Sequence, residues 1–391
     1  MKMKKVIATA LVGFMAMGML AGCGGGNDTQ KDNQQGGDAV AAIKVGGTGP
    51  LTGGASIYGL AVQRGAEIAI EEVNAKGGIQ FEFKMEDDAH DTEKAVNAYN
   101  ALKDWGMQLS LNSVTTAPGT ATSDLNFEDR IFGLTPSASG TGVTEGKDNV
   151  FQMCFADPNQ GSASAQYIAD QKLGTKIGII YKNDDAYSSG IYQTFQAKAA
   201  DLGLNIVSTT TFTTDSQNDF TVQLQDAKNA GADLLFLPMY YDAASLILGQ
   251  AATMDYAPKF FGVDGMDGIL TLEGFDTALA EGVMLLTPFS ADAEDERTKA
   301  FVAKYQDLYG EIPNQFAADA YDCIYALHQA CEAAGATADM TAAELNDLMI
   351  EQFTSMSFDG LTGAGATWSE NGQVNKDPKG MVIQGGVYVG M

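Results

Sequence analysis

The sequence predicts an α/β protein built as two doubly wound parallel-sheet lobes, and three observations carry that prediction. The chain has 391 residues, more than one ordinary core accommodates, so two domains are expected once an export segment is set aside. Short apolar runs alternate with amphipathic stretches of 10 to 15 residues, the pattern of parallel strands covered by helices on both faces. This alternation occurs as two successive series, one for each lobe. Glycine at 45 residues, proline at 9 and a hydrophobic share of 45% describe a turn-rich folded chain rather than a disordered one.

The first series opens with a strand at Ile43 to Gly47, the loop 48–54 and a helix from about Tyr58 on which Val62, Ala66, Ala69, Ile70 and Val73 recur at helical spacing. Lys76-Gly77-Gly78 stops that helix. A strand at Phe81 to Met85, a helix from Glu93 to Trp105, a strand at Leu109 to Leu111, a helix from Ala121 to Asp129 and a strand at Ile131 to Leu134 follow. The second series runs through helices at Gln160 to Lys172, Ser189 to Leu202 and Phe220 to Ala230. Its strands are expected at Lys176 to Tyr181, Asn205 to Thr211, Leu234 to Leu237, Phe260 to Gly262 and Val283 to Leu286. Helices at Asp295 to Tyr309, Ala317 to Ala334 and Ala342 to Gln352 come next, and a strand at Met381 to Val389 ends the chain. No repeat of fixed period relates the two series.

The amino terminus reads as an export signal over residues 1–22: Lys2 to Lys5, then an apolar run from Val6 to Leu20, then Ala21-Gly22 before Cys23. A helix of that run would be roughly 22 Å long, short of the ~30 Å needed to span a bilayer. Leu20-Ala21-Gly22-Cys23 resembles the lipobox of bacterial lipoproteins, in which the cysteine is diacylated and becomes the first residue of the mature protein. Two acyl chains make a stable anchor. Residues 23–42 are then the lipidated cysteine and a Gly/Asn/Asp/Gln-rich flexible tether, spanning roughly 25 Å as a random coil.

The formal charge is −27, and it becomes −30 if Lys2, Lys4 and Lys5 leave with the signal. Such an acidic surface repels phosphate backbones, so nucleic acid is excluded as a partner. Cys154, Cys323 and Cys331 remain, an odd number, and all three are expected as buried apolar residues. No catalytic constellation is present. The two histidines, His90 and His328, are far apart and have no cysteine near them, which argues against a metal site; each is expected at the surface or capping a helix. There is no G-x-S-x-G elbow, no complete G-x-G-x-x-G after a strand and no P-loop. Asp87-Asp88 and Asp184-Asp185 read as solvated loop carboxylates at strand ends. The chain is expected not to be an enzyme, and no cofactor is implied.

Open α/β sheets bind ligands beyond the carboxyl ends of their strands, so the loops there are the candidate site. After Leu111 comes Asn112 to Thr120, hydroxyls ahead of a helix with a proline near its first turn, an arrangement that suits a carboxylate as well as ordinary capping. After Leu134 comes Thr135-Pro136-Ser137-Ala138-Ser139-Gly140, polar and uncharged. In the second series Gly262-Val263-Asp264-Gly265 sets one carboxylate at a strand end, where it either caps a turn or complements an ammonium group.

Gly49-Pro50-Leu51-Thr52-Gly53, Ala75-Lys76-Gly77-Gly78-Ile79, Asp87-Asp88, Val114 to Pro118, Thr135 to Ala138 and Phe155 to Gly161, in this order and spacing, resemble the branched-chain (Leu/Ile/Val-type) amino-acid binding proteins of ABC importers. The likeness runs from about Ile43 to Val389. It implies a type I periplasmic-binding fold with three crossovers between the lobes, the first lobe comprising 43–156 and 287–374 and the second 157–286 and 375–391. By position, Thr116 would bind an α-carboxylate through its hydroxyl and backbone N–H, while Ser137 through its carbonyl and Ser139 through its hydroxyl would hold the charged end of the amino acid. Asp264 would face the ammonium, as a shorter residue than the glutamate familiar there. Tyr58, Tyr187 and Tyr240 would line the cleft. The family pattern carries a disulfide near the Asp87-Asp88 strand, and His90 and Thr115 occupy those cysteine positions here.

The function implied is an extracytoplasmic solute-binding lipoprotein of an ABC importer, capturing an α-amino acid, apolar or branched-chain, by hinge closure. Its partners would be the amino acid, an ABC permease and the bilayer through acylated Cys23, with the chain acting as a monomer. Two alternatives remain at this point: a ligand-sensing module for a receptor, and a binder of amides or of aromatic or short carboxylates.

Overall fold

The computed structural model describes residues 41–391. The predicted signal, Cys23 and all but the last two residues of the predicted tether lie outside the described residues.

The first series forms β1 (Ile43–Gly49), α1 (Ser56–Ala75), β2 (Phe81–Asp87), α2 (Thr92–Trp105), β3 (Leu109–Leu111), α3 (Thr116–Asp129), β4 (Phe132–Thr135) and β5 (Val150–Gln152). The five strands make one parallel sheet in the order β2-β1-β3-β4-β5. β3, β4 and β5 are buried along their whole length, as strands covered on both faces must be.

The second series forms α4 (Asp157–Asp170), β6 (Ile177–Lys182), α5 (Ala186–Leu202), β7 (Ile206–Phe212), α6 (Thr221–Ala230), β8 (Leu234–Leu237), α7 (Tyr241–Thr253), β9 (Lys259–Gly262) and β10 (Met284–Thr287). Its strands lie in the order β7-β6-β8-β9-β10, so the pattern of the first sheet recurs without any sequence repeat. After Thr287 come α8 (Glu296–Tyr309), α9 (Gln315–Ala334) and α10 (Ala342–Phe353), with α9 packed on α1 and α10 on β4. A two-stranded pair, β11 (Thr367–Trp368) and β12 (Val374–Asn375), precedes β13 (Lys379–Gln384) and β14 (Val387–Gly390).

The carboxyl terminus corrects the expectation of purely parallel sheets and of one closing strand. β13 runs antiparallel to β10, and β14 pairs back on β13, so the second sheet is mixed. Gly385 and Gly386 make the turn with φ of 60° and 80°, values that a tight hairpin needs at both central positions and that glycine adopts without a Cβ penalty. α3 begins at Thr116 rather than Ala121, because Pro118 sits in its first turn, where a missing N–H costs nothing. β5 and α7 are unassigned from sequence, although Ala243, Ala244, Ile247, Leu248 and Ala251 of α7 form a buried stripe at helical spacing.

The backbone passes between the sheets three times: between Gln152 and Ile177, after Thr287, and between Asn375 and Lys379. Lys376 in the last passage is buried, and its Nζ lies 2.9 Å from Asp319 Oδ1 on α9, 2.6 Å from Thr362 Oγ1 and 2.5 Å from Met153 O in the first passage. An ammonium removed from water is tolerable only with such a full set of partners.

Cys154, Cys323 and Cys331 are unpaired and buried, as expected, and burial pushes each thiol above its usual range. The histidines differ from expectation. His328 is packed in the interior of α9, edge-on to Phe81 with centroids 5.6 Å apart, and His90 is half-buried near the site described next.

Candidate functional site

The site forms where the carboxyl ends of the two sheets face each other. Thr115 is extended (φ −105°, ψ 151°) and caps α3 with its backbone, so Thr116 stands at the first helical position, where a backbone N–H has no intrahelical acceptor. Gly140 N donates to Thr116 Oγ1 at 3.3 Å, which ties the loop after β4 to this helix start. Thr135 Oγ1 folds the same loop by accepting Ser137 N at 3.2 Å and Ala138 N at 2.9 Å. The carbonyls of Ala138, Ser139 and Gly140 each accept a hydrogen bond, from Gln152 Nε2 or Asp157 N, whereas no donor among the described residues reaches that of Ser137.

From the opposite side, Asp185 caps α5 by accepting Ser188 N at 2.8 Å and so directs Tyr187 inward. Tyr240 stands at the start of α7, and its ring stacks on that of Tyr187 at 4.6 Å with a 3° interplanar angle. Asp264, just past β9, accepts from the Tyr187 hydroxyl at 2.5 Å, and its backbone N–H donates to Gln160 Oε1 at 3.3 Å. Its neighbour must be glycine: a Cβ on Gly265 would fall 2.6 Å from Tyr187 Oη.

All seven predicted residues, Thr116, Ser137, Ser139, Asp264, Tyr58, Tyr187 and Tyr240, line a single small cavity together with Val114, Thr115, Gly265 and Phe316. Their parts in it differ. Tyr58 Oη donates to Gly265 O at 2.5 Å and accepts Tyr241 N at 3.2 Å, so both its main hydrogen-bonding roles are spent tying α1 to the second series. Asp264 is buried, and no Lys, Arg or His pairs with it among the described residues; burial pushes its carboxyl up to about 6, against the Tyr187 and Gln160 hydrogen bonds that favour its charged form.

Asp157 was not anticipated. It opens α4 directly before Pro158, which makes it look like routine helix-start chemistry in the sequence. In the fold it is 2% exposed, and neither its carboxylate oxygens nor the hydroxyl of Ser139 beside it makes a hydrogen bond of good geometry among the described residues. Burial pushes this carboxyl well above its usual range, against the opposing pull of the Ser139 hydroxyl, and nearby Asp264 adds to the rise. Asp264, which lines the cavity, and Asp157 are thus two neighbouring buried carboxylates, and no Lys, Arg or His pairs with either among the described residues. Such an arrangement is costly unless a cation is delivered to it.

His90 and Thr115 face each other, with Nδ1 and Oγ1 2.9 Å apart, so a hydrogen bond stands at the two positions where the resemblance places a disulfide. His90 also meets the Tyr240 ring edge-on at 5.5 Å and is held below its usual pKa by burial. His90 and Tyr240 border a second, larger cavity of about 410 Å³ whose charged lining is Lys182, Asp184, Asp185 and Asp242. The acidic pairs divide the same way on each side. Asp87 and Asp184 are exposed, as expected, while Asp88 is buried, accepts Ser113 Oγ at 2.6 Å and is pushed by burial up to about 6.

A family model described as periplasmic binding protein matches residues 42–386, nearly all of the described chain. The chain belongs to the periplasmic binding protein family. Among similar curated proteins, Leu/Ile/Val-binding protein homolog 3 of Brucella melitensis is 28% identical over 309 residues, covering 78% of this chain and 82% of the relative. Two solved structures are similar at 25% identity: a leucine-binding protein from Thermotoga maritima (TM-score 0.79; 90% of this chain, 98% of the other) and a branched-chain amino-acid transporter substrate-binding protein from Streptococcus pneumoniae in complex with isoleucine (TM-score 0.80; 89% and 97%). Periplasmic binding proteins are extracytoplasmic and bind solutes, and the two-lobed type I architecture is the fold of this one. Among the described residues no helix is long and apolar enough to cross a membrane.

Proposed function

We propose that this periplasmic binding protein captures an α-amino acid of the branched-chain class between its lobes and presents it to an ABC permease. The observation that carries the reading is the polarity of the cavity. Thr116 at a helix start and the Ser137 and Ser139 loop offer donors and acceptors on one side, and the Asp264 carboxylate, with Asp157 in its neighbourhood, awaits a cation on the other. A zwitterion satisfies both ends. The α-carboxylate accepts from the Thr116 hydroxyl and backbone N–H, and the ammonium meets Asp264, the Ser137 carbonyl and the Ser139 hydroxyl. The side chain of the ligand extends past Tyr240 and His90 toward the larger cavity.

Segments 43–156 with 287–374 and 157–286 with 375–391 move as two bodies about the three crossings. A ligand that touches both lobes only when they are closed shifts the population toward closure. Cys23, diacylated after removal of residues 1–22, anchors the mature protein at the outer face of the cell membrane through the tether 23–42. The test is calorimetric titration of branched-chain amino acids into the Asp264→Ala variant. Loss of at least about 2 kcal/mol, some thirtyfold in affinity, is expected from an ammonium left unpaired in a dry site, and unchanged affinity refutes the assignment.

A further inference from the structure

A third cavity lies on the other side of the Asp264 turn, and none of the seven site residues borders it. Its volume is about 390 Å³, and its walls are Val302 of α8, Ile312 and Pro313 of the α8–α9 connection, Leu270, and Val387 and Val389 of β14. Elements attached to the first sheet and strands of the second thus meet around it. No Lys, Arg or His lines it, but two acids do: Asp292, which is exposed, and Asp267, which is 5% exposed.

Asp267 is the informative group. Its Oδ2 accepts the Gln315 N–H at 2.9 Å, whereas the buried Oδ1 makes no hydrogen bond of good geometry among the described residues, the Tyr388 hydroxyl and Gly268 N–H being the donors beside the carboxylate. The neighbouring Tyr388 hydroxyl, also in the lining, is engaged with Gly268 N at 3.1 Å and Met266 O at 3.3 Å. A half-satisfied carboxylate in a mostly apolar chamber is the pattern of a polar anchor in a small-molecule site, where greasy walls hold the body of a ligand and one charge orients it.

We propose that this cavity is a second ligand site, which takes an amphipathic primary amine with its hydrocarbon body against Leu270, Ile312 and Val387 and its ammonium on Asp267. The chemistry follows from the donor set. An anion is repelled by both acids, a neutral apolar molecule leaves Oδ1 unpaired, and a strongly polar cation wastes the apolar walls. The site does not depend on what occupies the cleft. The two are nonetheless adjacent, because Gln315 donates to Asp264 O at 3.0 Å through Nε2 and to Asp267 through its backbone.

Hexylammonium and its neutral counterpart 1-hexanol are suitable probes, titrated calorimetrically at pH 8 into the full mature chain. Hexylammonium is expected to bind at least tenfold more tightly than hexanol, both to the wild type and to an Asp264→Asn variant in which the cleft carboxylate is neutralised. Asp267→Asn, which keeps an acceptor for Gln315, and Val387→Trp, which fills the chamber from a half-exposed strand position, should each weaken it at least tenfold. Equal binding of the two probes, no binding at millimolar concentration, or binding lost in Asp264→Asn but kept in Asp267→Asn overturns the proposal. The last result also separates this site from the cleft, since only the cleft depends on Asp264.

Discussion

The Tyr187 hydroxyl donates to Asp264 Oδ1 at 2.5 Å while accepting the Gly265 N–H at 2.8 Å, so a residue following β6 fixes the rotamer of a carboxylate following β9. The stacked Tyr240 ring holds Tyr187 in turn. Asp264 is therefore aimed before any ligand arrives, and little ordering entropy remains to be lost on binding.

Tyr187→Phe keeps the stacking surface and removes only this donor. A hydrogen bond to a charged group contributes about 1.5–3 kcal/mol, so amino-acid affinity should fall tenfold or more, with a slower association or faster release resolved by stopped-flow fluorescence. Affinity within twofold of wild type would show that Asp264 is oriented by other contacts.

Asp157→Asn should move stability and binding in opposite directions. The free protein gains stability at neutral pH, because Asn is buried without the proton that the raised Asp157 carboxyl must take up on folding, and urea denaturation reads the higher midpoint. Amino-acid affinity drops, because the ammonium loses one of two carboxylates near it. A variant that is less stable and binds normally would reduce Asp157 to a structural residue.

The raised carboxyls set the pH dependence. For Asp264, at about 6, the native state holds a proton that the unfolded chain has lost between its ordinary carboxyl pKa and 6, so this group favours folding at low pH and loses that contribution as pH rises through 6. Asp88 and Asp267, also pushed up to about 6, act in the same sense. Binding an ammonium needs the charged form. Between pH 8 and pH 5, therefore, amino-acid affinity should fall on acidification, approaching tenfold per unit below 6, while these three groups make the free protein more stable. Calorimetry and thermal melts over that range check both slopes, and an affinity flat from pH 8 to pH 5 contradicts the role of Asp264.

Lys376→Met leaves Asp319 buried without the cation that holds its carboxyl down, so that it must take up a proton or stay charged unpaired, and should cost about 3–5 kcal/mol in chemical denaturation. Adding Asp319→Leu should recover most of that loss, since an apolar pair of similar volume can replace a buried ion pair. If the double variant is no more stable than Lys376→Met alone, the ammonium is held mainly by Met153 O and Thr362 Oγ1.

Much of the site was legible because it obeys a rule of sheet topology: loops at the carboxyl ends of parallel strands can be located wherever the alternation of strand and helix is clear, and Thr116, Ser137, Tyr187, Tyr240 and Asp264 all lie there. The helical boundaries near them were less so. The start of α3 was placed five residues late, because Thr, Pro and Gly read as loop formers although they also suit a helix's first turn. Asp157 escaped because a carboxylate at a helix start has an ordinary local explanation, and only tertiary packing buries it beside Ser139 and away from any cation among the described residues. The closing hairpin escaped because its two strands share one apolar run, broken only by Gly385-Gly386. His90 and Asp88 are buried by elements distant in sequence, which no local pattern announces.

The most direct test of the amino-acid reading is calorimetric titration of leucine beside 4-methylpentanoate, which keeps the carboxylate and the branched chain but lacks the ammonium. Leucine should bind the wild-type mature chain at least a hundredfold more tightly, with most of that preference lost in Asp264→Asn. Equal affinities for the two in the wild type would contradict a cavity built around Asp264 for a zwitterion.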